Sequence, residues 1–293
     1  MLRASPTLAN EVAPPGPHKP RAEYSAKLSA VRSVEPLSEP TEGIFLTAQW
    51  RNLAMLSWEI DPDVLAPLVP PGLELDSHGG KTYISMVGFQ FLDVRLLGLP
   101  IPFHRNFEEV NLRFYVVRRV GRHVRRGVVF VKEICPRWAV SSVARWVYNE
   151  QYVTLPMRHR VTIDSQHGVA SPTGEDGESI YVEYAWRSER TWHGLNVHGS
   201  GAPSPPPADS LAEFIVEHYW AYTRQRDGGC VEYRVAHRPW RIWPVQSAKL
   251  SARLSEAAEP YYGRELAQVL RHKPVSALLA DGSPVKVYRG KRM

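Results

Sequence analysis

The stretch FEEVNLRFYVV, residues 107–117, decides how the rest of this sequence is read. Val110, Leu112, Phe114 and Val116 fall on one side of an extended chain, with Glu109, Asn111, Arg113 and Tyr115 on the other. Strict period two, carried by β-branched and aromatic side chains, specifies a strand. Pattern alone favours reading the polar side as the solvated face of an antiparallel sheet, where mixed charge is ordinary. The competing reading is a ligand face. Alternate side chains on a strand stand ~7 Å apart, so one small molecule spans two or three of them.

The segments on either side extend the same architecture. IFLTAQWRNLAMLSWEI (44–60) is a strand-like apolar and aromatic run, broken near Asn52. In DPDVLAPLVPPGLELD (61–76) Asp61 caps a short helix, Pro62 takes its first position and Leu65 with Leu68 forms its apolar stripe. Pro70-Pro71-Gly72 ends that helix. KTYISMVGFQFLDVRLL (81–97) is apolar on both faces, which predicts a strand covered on both sides. Further strands are expected over GVVFVKEI (127–134), YVTLPMRHRVTI (152–163), SIYVEYAWRS (179–188), WHGLNVHG (192–199), GGCVEYRVAH (228–237) and RIWPVQSAKLSARL (241–254). PRWAVSSVARWVY (136–148) predicts a helix with Pro136 in its first turn. The Pro/Ser linker SGAPSPPPADS (200–210) leads into a capping box, Ser210 with Glu213. The buried stripe of the helix that follows is Leu211, Phe214, Ile215, His218, Tyr219 and Tyr222. The sum is one mainly antiparallel β domain with a few short helices over 44–293. Residues 1–43 hold seven prolines and no hydrophobic period, and are expected to form a disordered tail.

Hydrophobic residues at 43% and aromatics at 10% suffice for a sizeable core. The net charge of +6 is largely local, in RRVGRHVRR (118–126) and YRGKRM (288–293). The first run reads as a solvated loop between strands, and no aromatic lies inside it to stack a base, so nucleic acid is not an expected partner. With no signal-like apolar segment and no run of ~18 apolar residues, no membrane partner and a cytoplasmic location are expected. Two cysteines without a CxxC give neither a disulfide framework nor a zinc or redox motif. Neither a P-loop nor a G-x-G-x-x-G after a strand appears, and there is no G-x-S-x-G elbow. The histidines are dispersed. His193 and His198, five apart on a strand, point to opposite faces, so no metal is expected. His218 reads as a satisfied core histidine, His237 as a pocket rim or a structural group, and Cys135 as a small buried hydrophobe.

What remains is the polar face of the first stretch and VKEICPRWAVSSVARWVYNEQY (131–152). On a helix there, Arg137, Ser141, Arg145 and Tyr148 form one polar stripe opposite Val140, Val143, Ala144 and Val147. Two arginines on one stripe clamp a carboxylate with paired donors, or face water. On the strand before it, Lys132 and Glu133 point to opposite faces, so at most one of them looks into a given cavity.

At these residues the chain resembles a known family. AQWRNLAMLSWEIDPDVLAPLVPPGLELD (48–76), FEEVNLRFYVV and GVVFVKEICPRWAVSSVARWVYNEQY (127–152) together look like the YqjF-like bacterial proteins of unknown function, which are related in fold to acetoacetate decarboxylase. The likeness runs from about residue 45 to the C-terminus and is strongest over 50–157. It implies a mainly β (α+β) fold, an acetoacetate decarboxylase-like cone or barrel of antiparallel strands with a few short flanking helices and a cavity inside. It also implies that the face carrying Glu109, Asn111 and Arg113 looks inward, since the decarboxylases keep an acidic residue in an E-V-x-L context that Glu109 and Val110 match.

The departure concerns the amine. In the decarboxylases the helix after the next strand leads into a lysine pair, one member of which forms a Schiff base with the keto acid. The corresponding place here reads Tyr148-Asn149-Glu150-Gln151-Tyr152, without a lysine. Lys132 lies nearby but does not match in position. The expectation is therefore a small-molecule ligand, anionic or carbonyl-bearing, held without Schiff-base decarboxylation and without a cofactor. Arg113, Arg137 or Arg145 would hold its anionic group. Glu109, Glu133 or Glu150 would serve as acid or base, while Asn111, Tyr148, Tyr152 and Trp240 would shape the wall. Proton transfer beside a carbonyl, as in a lyase or isomerase, is the matching chemistry. A ligand sensor or a protein-interaction module is the alternative, and a homo-oligomer stays open.

Overall fold

The computed structural model of the chain describes residues 42–137, 151–164, 178–188, 190–251 and 259–293. The tail expected over 1–43 lies outside them up to residue 41, and the helix expected after Pro136 lies outside them from residue 138.

In chain order the described elements are β1 (Ile44–Ile60), α1 (Pro62–Leu65), β2 (Glu74–Leu75), β3 (Thr82–Leu96), β4 (Leu99–Pro100), β5 (Phe107–Val120) and β6 (His123–Cys135). There follow β7 (Tyr152–Thr154), β8 (Met157–Asp164), β9 (Ser179–Ser188), β10 (Thr191–Ser200), α2 (Leu211–Val216), β11 (Trp220–Arg224) and β12 (Cys230–His237). The last are β13 (Ile242–Trp243), β14 (Val245–Leu250), α3 (Glu259–Tyr262), α4 (Arg264–Val269), β15 (Ser276–Tyr288) and β16 (Lys291–Arg292).

Seven of these strands close on themselves. β15 pairs with β1, β1 with β3, β3 with β5 and β5 with β6, all antiparallel. β6 takes β11 in parallel, β11 pairs with β12, and β12 returns to β15. A second sheet of four strands runs β14–β10–β9–β8. The ring and this sheet share one apolar layer. Val110, Leu112 and Phe114 from one face of β5 join Val182, Tyr184 and Trp186 of β9 and Leu266 and Leu270 around α4. The other face of β5 looks into the ring, where Leu53, Met55, Val87, Phe89 and Phe91 form a separate cluster.

β5 is thus buried on both sides. Glu109 and Asn111 are each 2% exposed and Arg113 7%, which overturns the solvent-face reading of the polar side. Here the ring closes over the polar side, so alternation separates two interiors rather than core from water.

Local signals behave as their chemistry predicts. Asn52 holds a left-handed φ of 55°, and the pairing of β1 with β3 shifts register between Arg51 and Ala54. Asp61 accepts a hydrogen bond from Asp63 N, Pro62 follows it and Leu65 is buried, but Leu68 is exposed because a tighter turn over Ala66–Leu68 rotates it outward. Ser210 Oγ accepts from Glu213 N at 3.1 Å.

Three expectations need correction. The helix begun at Ser210 ends at Val216, and Tyr222 belongs to strand β11, because the chain turns to pair with β6 and β12. The basic run 118–126 is mostly hairpin strand with its turn at Gly121 and Arg122. Arg118 and Arg125 both reach Glu232 at 2.6 Å, Arg126 reaches Asp76 at 2.7 Å, and Arg119 reaches Glu74 at 3.3 Å. The C-terminal strand β15, which closes the ring, was not foreseen.

Candidate functional site

The register across the ring builds the site. Going inward along β5, Phe107 faces Phe91, Glu109 faces Phe89, Asn111 faces Val87 and Arg113 faces Ser85 on β3. On the other side Asn111 pairs with Glu133 of β6, and Glu133 with Tyr152 of β7. Val87, Asn111, Glu133 and Tyr152 therefore form one row across four strands.

These side chains line a cavity of about 240 Å³ inside the ring. Its polar groups are Glu109, Asn111, Arg113, Glu133 and Tyr152, which lie together on β5, β6 and β7, and Tyr233 on β12. The rest of the wall is apolar. Trp50, Phe89, Phe91 and Phe107 form a continuous aromatic surface with ring centroids 4.8–5.7 Å apart.

The polar groups are tied to one another. Glu109 accepts a hydrogen bond on each oxygen, from Asn111 Nδ2 at 3.1 Å and from Tyr152 Oη at 2.7 Å. Arg113 Nη2 donates to the Ile215 carbonyl at 3.3 Å, which joins the cavity to α2. Asn111 Oδ1 and Arg113 Nε are buried without a hydrogen-bond partner. Burial, and then the carboxylates of Glu109 and Glu133, raise the Tyr152 phenol well above its usual range, so it remains a donor.

Of the residues expected at the site, Glu109, Asn111, Arg113, Glu133 and Tyr152 are brought together. Trp240 is not in the wall. It stands behind it, 6.2 Å from Trp50 between ring centroids, with Nε1 donating to Ser283 Oγ at 3.0 Å. Arg137 does not line the cavity either, because the chain turns outward after Cys135 and its Nη2 donates to the Asn106 carbonyl at 3.4 Å. Arg145, Tyr148 and Glu150 lie outside the described residues. Lys132 pairs with Leu112 on the face away from the cavity, and burial lowers its pKa. No lysine lines the cavity among the described residues, and residues 138–150 contain none.

The other histidines and Cys135 sit as follows. His218 lies in the core against Tyr115 at 4.7 Å, but its ring nitrogens have no hydrogen-bond partner, since Asp76 Oδ2 is 3.8 Å away. His237 is stacked between Tyr219 and Trp240 at 4.6 and 4.3 Å, away from the cavity. Cys135 is buried. Among the described residues no cluster of three His, Cys, Asp or Glu side chains is arranged to hold a metal.

Sequence reading missed the aromatic wall. Phe89 and Phe91 share a face of β3, but only the pairing of Phe89 with Glu109 shows that this face and the polar face of β5 enclose one space. A second, more open depression of about 450 Å³ lies on the four-stranded sheet by Arg158, Trp192 and Lys249.

Comparison with known proteins agrees with this architecture. Residues 47–283 match the family DUF2071, described as an uncharacterized conserved protein. The chain is 28% identical over 203 residues to the uncharacterized protein YqjF of Bacillus subtilis, covering 69% of this chain and 76% of that one. Among solved structures it is similar to an acetoacetate decarboxylase from Legionella pneumophila, with a TM-score of 0.55 at 12% identity over 88% of this chain and 91% of the other. It is also similar to the enduracididine biosynthesis enzyme MppR complexed with pyruvate, with a TM-score of 0.53 at 13% identity over 87% and 92%. Identities this low speak for the fold alone.

Proposed function

The chain belongs to the DUF2071 family of uncharacterized conserved proteins, and we propose that it binds a small organic molecule bearing a carboxylate or carbonyl group inside its ring. The observation that carries this reading is the gathering of Glu109, Asn111, Arg113, Glu133 and Tyr152 in a cavity whose remaining wall, Tyr233 apart, is apolar. Clusters of this kind orient a ligand by its polar end while the apolar wall supplies most of the binding energy. Arg113 is the guanidinium in the set and the natural partner of a carboxylate or carbonyl oxygen. Two carboxylates beside one guanidinium disfavour a multiply charged anion, so the ligand carries a single polar head. Pyruvate, bound by the fold neighbour MppR, has that head without the hydrocarbon that this aromatic wall would bury.

The chemistry available is proton transfer. Glu109 and Glu133 can exchange a proton beside the bound carbonyl, with the Tyr152 phenol as a donor. Among the described residues no lysine lines the cavity for a Schiff base, so decarboxylation of the acetoacetate type is not part of the reading.

The test is a thermal-shift screen of oxo acids, aldehydes, ketones and monocarboxylates. A ligand at 100 times its dissociation constant stabilises the native state by about 2.7 kcal/mol, a shift of several degrees for most domains. Arg113→Met should abolish the shift. Because Arg113 also holds α2, Phe89→Trp serves as the second variant, filling the cavity without removing any of the polar groups. Borohydride treatment with equimolar oxo acids should leave the protein mass unchanged. A covalent adduct on Lys132, or shifts untouched by both variants, would refute the reading.

A further inference from the structure

The connection between β3 and β5 carries apolar side chains on both of its sides. Inward, Leu96 and Ile101 line the cavity. Outward, Leu97 is 54% exposed, Leu99 72% and Phe103 91%. This exposure is held in place. Leu97 N donates to the Phe45 carbonyl at 2.9 Å, Leu99 pairs with Leu96, and Leu97 and Phe103 keep left-handed φ angles of 51° and 61°. Such angles are unfavourable for large side chains, so the loop is fixed by its surroundings and not by local preference. Ile44, 40% exposed, lies beside it at the start of β1.

Basic groups flank these side chains. Arg95 and Lys286 are both exposed and both pair with Thr47 across β1, from its two sides. Arg289 is exposed one residue beyond Tyr288, the partner of Ile44. Of the acidic groups on this side, Asp93 is held by Arg105 and, at 3.6 Å, by Arg95, and Glu42 is half-buried two residues before Ile44.

The geometry points to this end of the ring as a docking surface for an anionic lipid bilayer, with Leu97, Leu99 and Phe103 entering the headgroup layer. Three features favour a bilayer over a protein partner. The apolar group is a protruding tip, whereas a stable protein interface takes roughly 20–30 residues a side. Aliphatic and aromatic side chains beside cations are the composition that lies at a membrane surface. And the apolar side chains continue inward from the tip through Leu96 and Ile101. Sequence alone predicted no membrane partner because it holds no span, but surface docking needs none. The inference stands on the loop and its cations, and does not rest on the ligand reading.

Cosedimentation of the full chain with vesicles tests it. The protein should sediment with phosphatidylcholine vesicles in which about a quarter of the lipid is phosphatidylglycerol, more weakly with phosphatidylcholine alone, and less as salt rises. The double variant Leu99→Ser, Phe103→Ser should lower the partition about tenfold or more. Its melting temperature should match the parent, because both side chains face solvent. Lys286→Gln with Arg289→Gln should weaken binding to the anionic vesicles only. Absence of sedimentation, or equal sedimentation of the Leu99→Ser, Phe103→Ser protein, would overturn the inference. So would light scattering that finds a dimer which this double variant dissolves, since a second copy would then cover the tip. Ligand-induced thermal shifts retained in that variant would leave the cavity reading intact.

Discussion

Gly282 shows how one residue fixes the wall of the cavity. It lies in β15 opposite Arg51, at a φ of 79°, and a Cβ placed there would run into the Trp50 carbonyl. Trp50 in turn packs edge-on against Phe89 at 5.1 Å. Gly282→Ala is strained twice, by the left-handed backbone and by the clash. It is expected to lower the unfolding free energy by about 1–3 kcal/mol, read as a lower urea midpoint at unchanged slope. An unshifted midpoint would mean that β1 and β15 are not packed as described. The sequence announced Asn52 as an interruption because asparagine tolerates the left-handed region, and the structure places a bulge there. Asp281-Gly282, a dipeptide common in hairpin turns, lies inside a continuous strand here.

At the scale of elements, α2 and the start of β11 enclose a buried charge cluster. Asp76 accepts from Arg126 Nε at 2.7 Å, and His218 lies 3.8 Å from the same carboxylate. Burial would raise the Asp76 carboxyl, but His218 and Arg126 outweigh it and hold the pKa below its ordinary value. Burial dominates at His218 and lowers its pKa from 6.5 to about 4. The unfolded chain therefore binds a proton at His218 that the native protein refuses. Stability is complete above pH 6.5 and falls as pH drops from 6.5 towards 4, by about 3 kcal/mol at most. Asp76 adds a further loss only below pH 3.8, as its carboxylate is protonated. In urea titrations at several pH values, His218→Phe should flatten the first window and also change the second, because it removes a group that holds the Asp76 carboxyl down. An unchanged slope between pH 6.5 and 4 would remove His218 from the account. This region also marks the limit of periodicity. The spacing of Phe214, Ile215, His218 and Tyr222 fits a helix, and Phe214, Ile215 and Tyr222 are indeed buried, but the chain reaches that burial by changing from helix to strand after Val216.

For the whole molecule, strands were legible and their closure was not. Apolar runs located β1 and β3, and strand-like patterns located β5, β6, β9, β10 and β12, because each segment carries its own pattern. The ring depends on pairings between distant segments, β1 with β15 and β12 with β15, that no local pattern encodes. Without the ring, Glu109, Asn111 and Arg113 read as a wet face, and with it they become the polar part of a cavity. The resemblance supplied the inward orientation that alternation could not, and it drew attention to the lysine that is absent. The central claim is that this cavity takes a ligand by its carboxylate or carbonyl head. The most direct measurement is a crystal structure of the protein with the best ligand from the thermal-shift screen. The account predicts electron density inside the ring, with the polar head within hydrogen-bonding distance of Arg113 or Glu133, the remainder along Phe89 and Phe91, and no bond to a lysine. Density in the open depression by Arg158 and Trp192, or a covalent link to Lys132, would contradict it.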